Sequence, residues 1–304
     1  MPAGSAWTDL LDPSRDEITA AAPVELFPIA LDELAAPLDP VRPPRPAIEG
    51  HGEYVLAVLL LPVAVPAEDR LYYEEIDVIA TARGALTVRK TPGDDPAFPA
   101  DELQTICAPV ADRPGPLLYR LLDEVGERYL GLVDALDGEI DELEDGIESW
   151  SYRRVRERIA ELRHEMLRVR QTLTPTRDAV RRIVDGRLEI EGQDAFPRDL
   201  RISFGDAYDK LLRASEGLDV SRDLLAGARD YHQAKIAETQ NDVVKKLTVI
   251  ASLLLFPTFV VGVYGQNFEH LPELGWHLGY AFSWCVIVVT TILQLAFFKW
   301  RRWI

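Results

Sequence analysis

Cysteine is scarce in this chain of 304 residues, and its scarcity excludes several kinds of protein. The two cysteines, Cys107 and Cys285, lie far apart in the sequence. They provide neither a disulfide framework nor a paired-thiolate metal site. We therefore expect the soluble part of the chain to occupy a reducing compartment.

Catalytic and targeting motifs are also missing. The sequence contains no glycine-rich phosphate loop of P-loop form and no His-Glu-x-x-His pattern. Residues 1–7 contain no basic stretch leading into an apolar segment, so no secretory signal is predicted. We expect a protein that is not an enzyme and uses no organic cofactor.

Charge is lacking in two stretches near the C-terminus. No Asp, Glu, Lys or Arg occurs at the 22 positions between Lys246 and Glu269, or at the 25 positions between Glu273 and Lys299. A helix needs about 20 apolar residues to cross a bilayer. The sequence therefore predicts membrane spans at residues 247–264 and 278–298, joined by an exposed loop at 265–277.

The charges that flank the spans predict the topology. Lys245 and Lys246 precede the first span, and Lys299, Arg301 and Arg302 follow the second, whereas the connecting loop has no base. Basic residues favour the cytoplasmic side of a membrane. We expect a multi-pass protein of the plasma (inner) membrane with both termini in the cytoplasm and a basic tail at 299–304.

The rest of the chain is strongly acidic. Two of the 50 acids and five of the 33 bases fall in residues 243–304, which leaves a net charge of −20 for residues 1–242. Such a domain repels nucleic acid and attracts cations. We expect divalent cations and the lipid bilayer as partners, and no nucleic acid. A solvated acidic surface that aids solubility explains most of these carboxylates equally well.

Hydrophobic patterning predicts the organisation of the acidic part. Residues 1–50 are rich in Pro, Ala and acids, which predicts mostly irregular structure. Apolar runs at 54–61, 75–80 and 85–90 predict strands, the first ended by Pro62. Amphipathic helices follow at about 117–147 and 152–184, and Pro175 is expected to kink or interrupt the second. The pattern thus predicts that residues 51–196 form a sheet domain with an acidic helical hairpin.

A third helical stretch is exceptionally long. No proline occurs between Pro197 and Pro257, and a continuous helix over residues 198–264 would contain 67 residues and measure roughly 100 Å. Such a helix cannot bury itself within one small domain. We predict a cytoplasmic stalk at 197–246 that runs into the first span and packs against copies of itself.

Polar and small residues follow one side of this helix and its span. At 100° per residue they share an arc of roughly 100°. The arc contains Asp230, Asn241, Val244, Thr248, Ala251, Leu255, Thr258 and Gly262, with Leu247 at its margin. A lipid-facing surface avoids polar side chains, so this stripe should face protein or water. Close packing between helices is one interpretation. The wall of an aqueous path is the other, and it requires a symmetric oligomer.

The loop between the spans carries a recognisable motif. It reads Tyr264-Gly265-Gln266-Asn267-Phe268, followed by Pro272-Glu273-Leu274. This resembles the hallmark of the CorA family of divalent-cation channels, in which Met stands where this chain has Gln266. The likeness of layout covers most of the chain, although residues 1–50 carry no motif.

The resemblance implies an architecture and an activity. The expected fold is an α+β membrane protein with an N-terminal α/β/α cytoplasmic domain, a very long stalk helix and two C-terminal transmembrane helices, assembled as a funnel-shaped homopentamer. The expected activity is conduction of hydrated Mg²⁺ down its electrochemical gradient, with Co²⁺ and Ni²⁺ as further candidates.

The resemblance also assigns the pore wall to the first span. The matching positions are Asp230, Asn241, Val244, Leu247, Thr248, Leu255, Thr258 and Gly262. Val244 and Leu247 would form an apolar constriction that a hydrated ion passes only after the helices move or the pore wets.

The implied selectivity loop comprises Gly265, Gln266, Asn267, Glu269 and Glu273. Mg²⁺ holds its waters tightly, so a ring of Asn267 carbonyls would recognise the hydrated ion. Glu269 and Glu273 would concentrate cations at the mouth, or are simply solvated.

Regulation is implied at one further segment. Residues 203–209 resemble the family segment at the top of the stalk, whose first Asp holds a regulatory Mg²⁺ between subunits and keeps the pore closed. That residue matches Asp206. Its partner carboxylate stays open among Asp209, Glu68 and Asp69.

Two alternatives stay open. His270 and His277 lie near Glu269 and Glu273, and imidazole with carboxylate suits Zn²⁺, which favours a zinc-transporting relative. The other alternative is a non-conducting membrane-anchored metal sensor or assembly subunit in which Gln266 has abolished flux.

Overall fold

The computed structural model describes residues 7–39, 42–65, 70–188, 196–266 and 275–304. The chain divides into two compact units, Met1–Ala228 and Arg229–Ile304. The first unit contains the sheet and its covering helices, and the second contains two apolar helical stretches.

A five-stranded sheet organises the first unit. Its strands are β1 (Trp7–Leu11), β2 (Ala47–Gly50), β3 (Tyr54–Val65), β4 (Arg70–Thr81) and β5 (Ala85–Lys90). The order is β1-β5-β4-β3-β2, with β1 parallel to β5 and the other neighbours antiparallel. The three predicted strands are therefore confirmed, and the sheet is wider than the sequence indicated.

Helices cover both faces of the sheet. Helices α1 (Arg15–Ala21) and α2 (Pro28–Ala35) bury Ile18 and Leu34 against one face. The opposite face packs against α3 (Ala100–Cys107), α4 (Pro114–Gly146), α5 (Tyr152–Val184) and the first part of α6 (Arg198–Tyr264). The expected α/β/α domain is confirmed.

The prediction of mostly irregular structure at residues 1–50 was wrong over the described part, which contains β1, α1, α2 and β2. Prolines occupy the boundaries of these elements rather than their interiors. Pro28 lies in the first turn of α2, where a helix needs no amide donor. Ser14 and Glu17 form a capping box at the start of α1. High proline content here marks turns between short elements.

Two other prolines also disrupt less than expected. Strand β3 does not end at Pro62 but continues to Val65. Strand β2 pairs only with Val55–Val58 of β3, so Pro62 lies on an edge within the described sheet, where a missing amide is tolerated. Helix α5 continues through Pro175 without interruption.

The predicted long helix is confirmed, because α6 runs over 67 residues. It is followed by α7 (Gly279–Trp300), and each contains a stretch of mean hydropathy 2.1 that is long enough to cross a membrane. Only 11% and 6% of these stretches are buried within the chain, as expected of surfaces that meet lipid or other subunits. The boundary between stalk and membrane at residues 246 and 247 stays a prediction.

Candidate cation pathway and regulatory site

The polar stripe of α6 is exposed along its whole length in the single chain. This holds for Asp230, Asn241, Val244, Leu247, Thr248, Leu255, Thr258 and Gly262. The apolar members are exposed by 59% at Val244, 60% at Leu247 and 71% at Leu255. A stripe that the chain leaves uncovered within an apolar helix must be covered by another molecule or by water.

Helix α7 packs on the other side of α6. Val249 and Val260 are 6% and 7% exposed, and Pro257 and Tyr264 line a cavity of about 480 Å³ together with residues of α7. At 100° per residue these positions lie roughly opposite the stripe. The packing of α7 therefore covers one side of α6 and leaves the side with the polar stripe exposed in the single chain.

The threonines of the stripe keep oxygen acceptors available. The Thr248 hydroxyl donates to the carbonyl of Val244 at 2.8 Å, and the Thr258 hydroxyl donates to that of Leu254 at 2.7 Å. Each hydroxyl oxygen retains lone pairs once its proton is used in this way. The stripe therefore presents neutral oxygen acceptors, which suit the water shell of a cation.

Asp230, at the start of the stripe, has a neighbour that the sequence reasoning did not consider. Its carboxylate lies 3.0 Å from the Arg229 guanidinium, and both side chains are more than half exposed. An exposed pair of this kind is weak and screened by salt. The carboxylate therefore remains available to cations.

The structure describes residues 265, 266 and 275–277 of the predicted selectivity loop. Helix α6 ends at Tyr264, and the Gly265 amide donates to the Val261 carbonyl at 2.8 Å. A Cβ at Gly265 would lie 3.1 Å from that carbonyl oxygen, so glycine suits this helix end. Gln266 is exposed. The predicted positions Asn267, Glu269 and Glu273, with His270, lie outside the described residues, whereas His277 is exposed.

Asp206 lies on the first part of α6 beside a cavity of about 490 Å³. The cavity is lined by Asp206, Asp209, Lys210, Leu212 and Arg213. Asp206 and Asp209 are both exposed, and their oxygens suit Mg²⁺, which usually takes one or two carboxylates and keeps several waters. Asp209 thus shares the cavity with Asp206, while Glu68 and Asp69 lie outside the described residues.

Lys210 is the residue that sequence reasoning missed at this site. Its ammonium lies 2.6 Å from both Asp123 and Glu127 of α4. Partial burial lowers the pKa of Lys210, but the hydrogen bonds to these two carboxylates outweigh it and the pKa is raised overall. Its position one helical turn after Asp206 was visible in the sequence, whereas its partners on α4 were not.

A complete metal site is not formed within the described part of one chain. No group of three or more His, Cys, Asp or Glu side chains there is arranged to hold a metal ion. A Mg²⁺ at Asp206 would therefore need its remaining ligands from water or from a second chain.

The fold and the exposed stripe define a class of protein: an α/β domain whose last helix continues into a two-span membrane region. The family described as CorA-like Mg2+ transporter protein matches residues 2–302. The chain belongs to this family.

Individual proteins agree with the family match. The cobalt/magnesium transport protein CorA of Thermotoga maritima is 28% identical over 264 residues, which cover 86% of this chain and 73% of that protein. Among solved structures, the complete CorA magnesium transporter of Methanocaldococcus jannaschii superposes with a TM-score of 0.78 at 21% identity, covering 98% of this chain and 91% of that one. The full-length CmaX protein has a TM-score of 0.67 at 20% identity, covering 98% and 88%. The last two comparisons confirm the predicted fold of the single chain, whereas the homopentamer stays a prediction.

Proposed function

We propose that this chain forms an oligomeric membrane channel that conducts hydrated Mg²⁺ down its electrochemical gradient. The observation that carries the proposal is the polar stripe of α6, which is exposed and lies opposite the side that packs against α7. Membership of a family named for Mg²⁺ transport supports the choice of ion.

The stripe requires several copies of the chain to enclose a path. Two helices cannot surround an aqueous channel, whereas a ring of stripes related by rotational symmetry can. A homopentamer is the assembly that the sequence resemblance implies. Bases at both outer ends of the spans favour a multi-pass protein of the plasma (inner) membrane with both termini in the cytoplasm.

Ion recognition in this proposal uses oxygen atoms without removing the ion's water. Rings of Asn267 at the mouth, and of Thr258, Thr248 and Asn241 along the wall, accept hydrogen bonds from the waters of Mg²⁺. Val244 and Leu247 supply the apolar constriction, which prevents conduction when it is dry. Gly265 and Gln266 set the start of the loop, and Glu269 and Glu273 concentrate cations at its mouth.

Internal Mg²⁺ closes the channel in this proposal by binding at Asp206 between neighbouring subunits. An ion at that position offsets the repulsion between domains that carry a large net negative charge. When the ion leaves, repulsion separates the domains and the stalk helices move. The exposed carboxylates of Asp206 and Asp209 on one cavity support this role.

The test is ion flux into liposomes that contain the purified full-length protein. Uptake of Mg²⁺, Co²⁺, Ni²⁺ and Zn²⁺ is compared at several internal Mg²⁺ concentrations. We expect Mg²⁺ flux that stops when internal Mg²⁺ reaches the millimolar range. A matched Gln266→Met variant, which restores the family tripeptide, shows whether the amide changes rate or selectivity.

Two other outcomes would replace the proposal. Flux of Zn²⁺ without Mg²⁺ would favour a zinc transporter, with His270 and His277 as candidate ligands. No flux at any internal Mg²⁺ in the parent, together with flux in Gln266→Met, would favour a non-conducting sensor or assembly subunit.

A further inference from the structure

Helix α7 turns its polar side chains toward α6. Its half-buried face comprises Ser283, Val286, Ile287, Thr290, Thr291 and Gln294, with the buried Phe298 near its end. The intervening apolar residues are more exposed, for example Ile292 at 59% and Leu293 at 62%. The polar residues of this span are therefore kept away from lipid.

Among these polar side chains, only the amide lacks a bond within its own helix. The hydroxyls of Ser283, Thr290 and Thr291 donate to carbonyls three or four residues earlier, at 2.9, 2.6 and 2.7 Å. The Oε1 atom of Gln294, by contrast, is shielded from solvent and has no hydrogen-bond partner among the described residues. An amide left unpaired in an apolar environment is costly.

Helix α6 presents a carbonyl that lacks its regular helical donor on the facing side. Pro257 has no N–H, so the Leu253 carbonyl, four residues earlier, loses its helical donor. Leu253 lies on the side of α6 that also carries Val249, Pro257 and Val260, which is the side turned toward α7. The hydroxyl of Thr258 does not replace the lost donor, because it donates to Leu254.

The register of the two helices predicts that these groups lie at a similar depth. One cavity is lined by Tyr264 and Pro257 of α6 and by Tyr280 and Ile287 of α7. Because the two helices are antiparallel, moving seven residues back along α6, from Tyr264 to Pro257, corresponds to moving seven residues forward along α7, from Tyr280 to Ile287. Continued four residues further along both helices, this register predicts that Leu253 is level with Thr291. Side chains on a helix lean toward its N-terminus, so the Gln294 amide extends back toward the level of Thr291.

We propose that the amide N–H of Gln294 donates a hydrogen bond to the Leu253 carbonyl, which lacks its helical donor because residue 257 is proline. A half-turn of the terminal amide exchanges Oε1 and Nε2 and brings a donor to the shielded position. The bond satisfies both groups at once. The bond joins α7 to the proline site of α6, directly before Thr258 of the exposed stripe in the sequence.

A double-mutant cycle on the full-length protein tests this bond. Gln294→Met keeps the length of the side chain and removes the donor. Pro257→Ala restores the backbone N–H of α6, which then donates to the Leu253 carbonyl within the helix. In the parent we expect Gln294→Met to shift the unfolding equilibrium toward the unfolded state by about 3- to 20-fold, the range for interhelical hydrogen bonds in membranes. In the Pro257→Ala background the shift should fall below about twofold.

Thr290→Val is the matched control on the same face. Its hydroxyl is satisfied within α7, so its effect should be small and equal in both backgrounds. Equal losses from Gln294→Met in both backgrounds, or no loss in either, would overturn the proposal. Pro257→Gly also restores the amide and serves as a second background if Pro257→Ala does not assemble. Unfolding is measured in detergent and needs no transport, so failure here is distinct from failure of the channel proposal.

Discussion

Lys210 lies one helical turn after Asp206 on α6 and contacts Asp123 and Glu127 of α4, each at 2.6 Å. The helix segment that presents Asp206 is therefore held to α4 by a cation of the chain itself. Gly126 of α4 completes this contact, because a Cβ there would lie 3.1 Å from the Cβ of Lys210.

Replacing Lys210 should destabilise this junction. Lys210→Met leaves Asp123 without its cation, and hydrogen bonds to charged groups contribute about 1.5–3 kcal/mol. Because Glu127 is 57% exposed, we expect the free energy of unfolding to fall by about 1.5 kcal/mol, at the lower end of this range. A lowered unfolding midpoint of the full-length protein would report this change. Lys245→Met removes an exposed pair with Asp242 and should cost less than about 0.5 kcal/mol. Equal losses in the two variants would contradict the special role of Lys210.

Asp206→Asn should weaken closure by internal Mg²⁺. The change removes a charge from the proposed ligand while keeping the shape of the side chain. We expect the internal Mg²⁺ concentration that halves flux in liposomes to rise by about tenfold, equivalent to ~1.4 kcal/mol. Glu216→Gln, an exposed acid elsewhere on α6, is the control and should leave this concentration unchanged. Inhibition like that of the parent in Asp206→Asn would remove Asp206 from the regulatory site.

The apolar part of the stripe should control leak. Val244→Ser places a hydroxyl at the proposed constriction and favours its wetting. We expect the variant to show more residual Mg²⁺ flux than the parent at internal Mg²⁺ concentrations that close the parent channel. Ile250→Ser makes the same kind of change at a position that is 56% exposed but off the stripe, and should leave this flux unaltered. If both variants leak equally, the stripe is not the wall of the pathway.

The buried Lys90 cluster should make stability depend on pH. Lys90 Nζ lies 2.6 Å from Glu75 Oε1 and 2.9 Å from Asp77 Oδ2, on the sheet face that α1 and α2 cover. Burial, reinforced by Glu75, raises the pKa of Asp77 well above its usual value of 3.8 despite Lys90. The folded state thus binds this proton more tightly, so the free energy of unfolding falls as pH rises from about 3.8 through the folded pKa.

Asp77→Asn should remove this contribution. Its stability relative to the parent is expected to be greater at pH 7 than at pH 4, since Asn never acquires the buried charge. Unfolding midpoints measured from pH 4 to pH 8 check the prediction. Parallel curves for the parent and the variant would show that Asp77 does not titrate in this range.

Two glycines of α4 should respond oppositely to the same substitution. A Cβ at Gly146 would lie 2.6 Å from ring carbons of Trp150 at the turn of the hairpin, whereas Gly138 has open space. We expect Gly146→Ala to lower the free energy of unfolding by about 1–3 kcal/mol. Gly138→Ala should raise it by about 0.5–1 kcal/mol, because alanine favours the helix. Stabilisation by both substitutions would mean that Trp150 moves aside freely.

Prediction from the sequence succeeded where structure is determined by neighbouring residues. The apolar periodicity from Leu117 onward and the absence of proline between Pro197 and Pro257 were sufficient to predict the long helices. It failed at residues 1–50, because composition does not show that Pro28 occupies a first helical turn or that β1 pairs with β5, about 80 residues away. The loop positions Asn267, Glu269 and Glu273 stay predictions.

The amino-acid sequence by itself determined the two spans, the continuous helix α6 and the polar stripe along it, because hydropathy and helical periodicity act within a segment. Only the tertiary structure decided which side of α6 packs against α7, that Lys210 holds Asp123 and Glu127, and that Gln294 turns away from lipid. These features depend on contacts between residues distant in the chain. No local pattern specifies such contacts, since the same helix can present any of its faces to a neighbour until packing selects one.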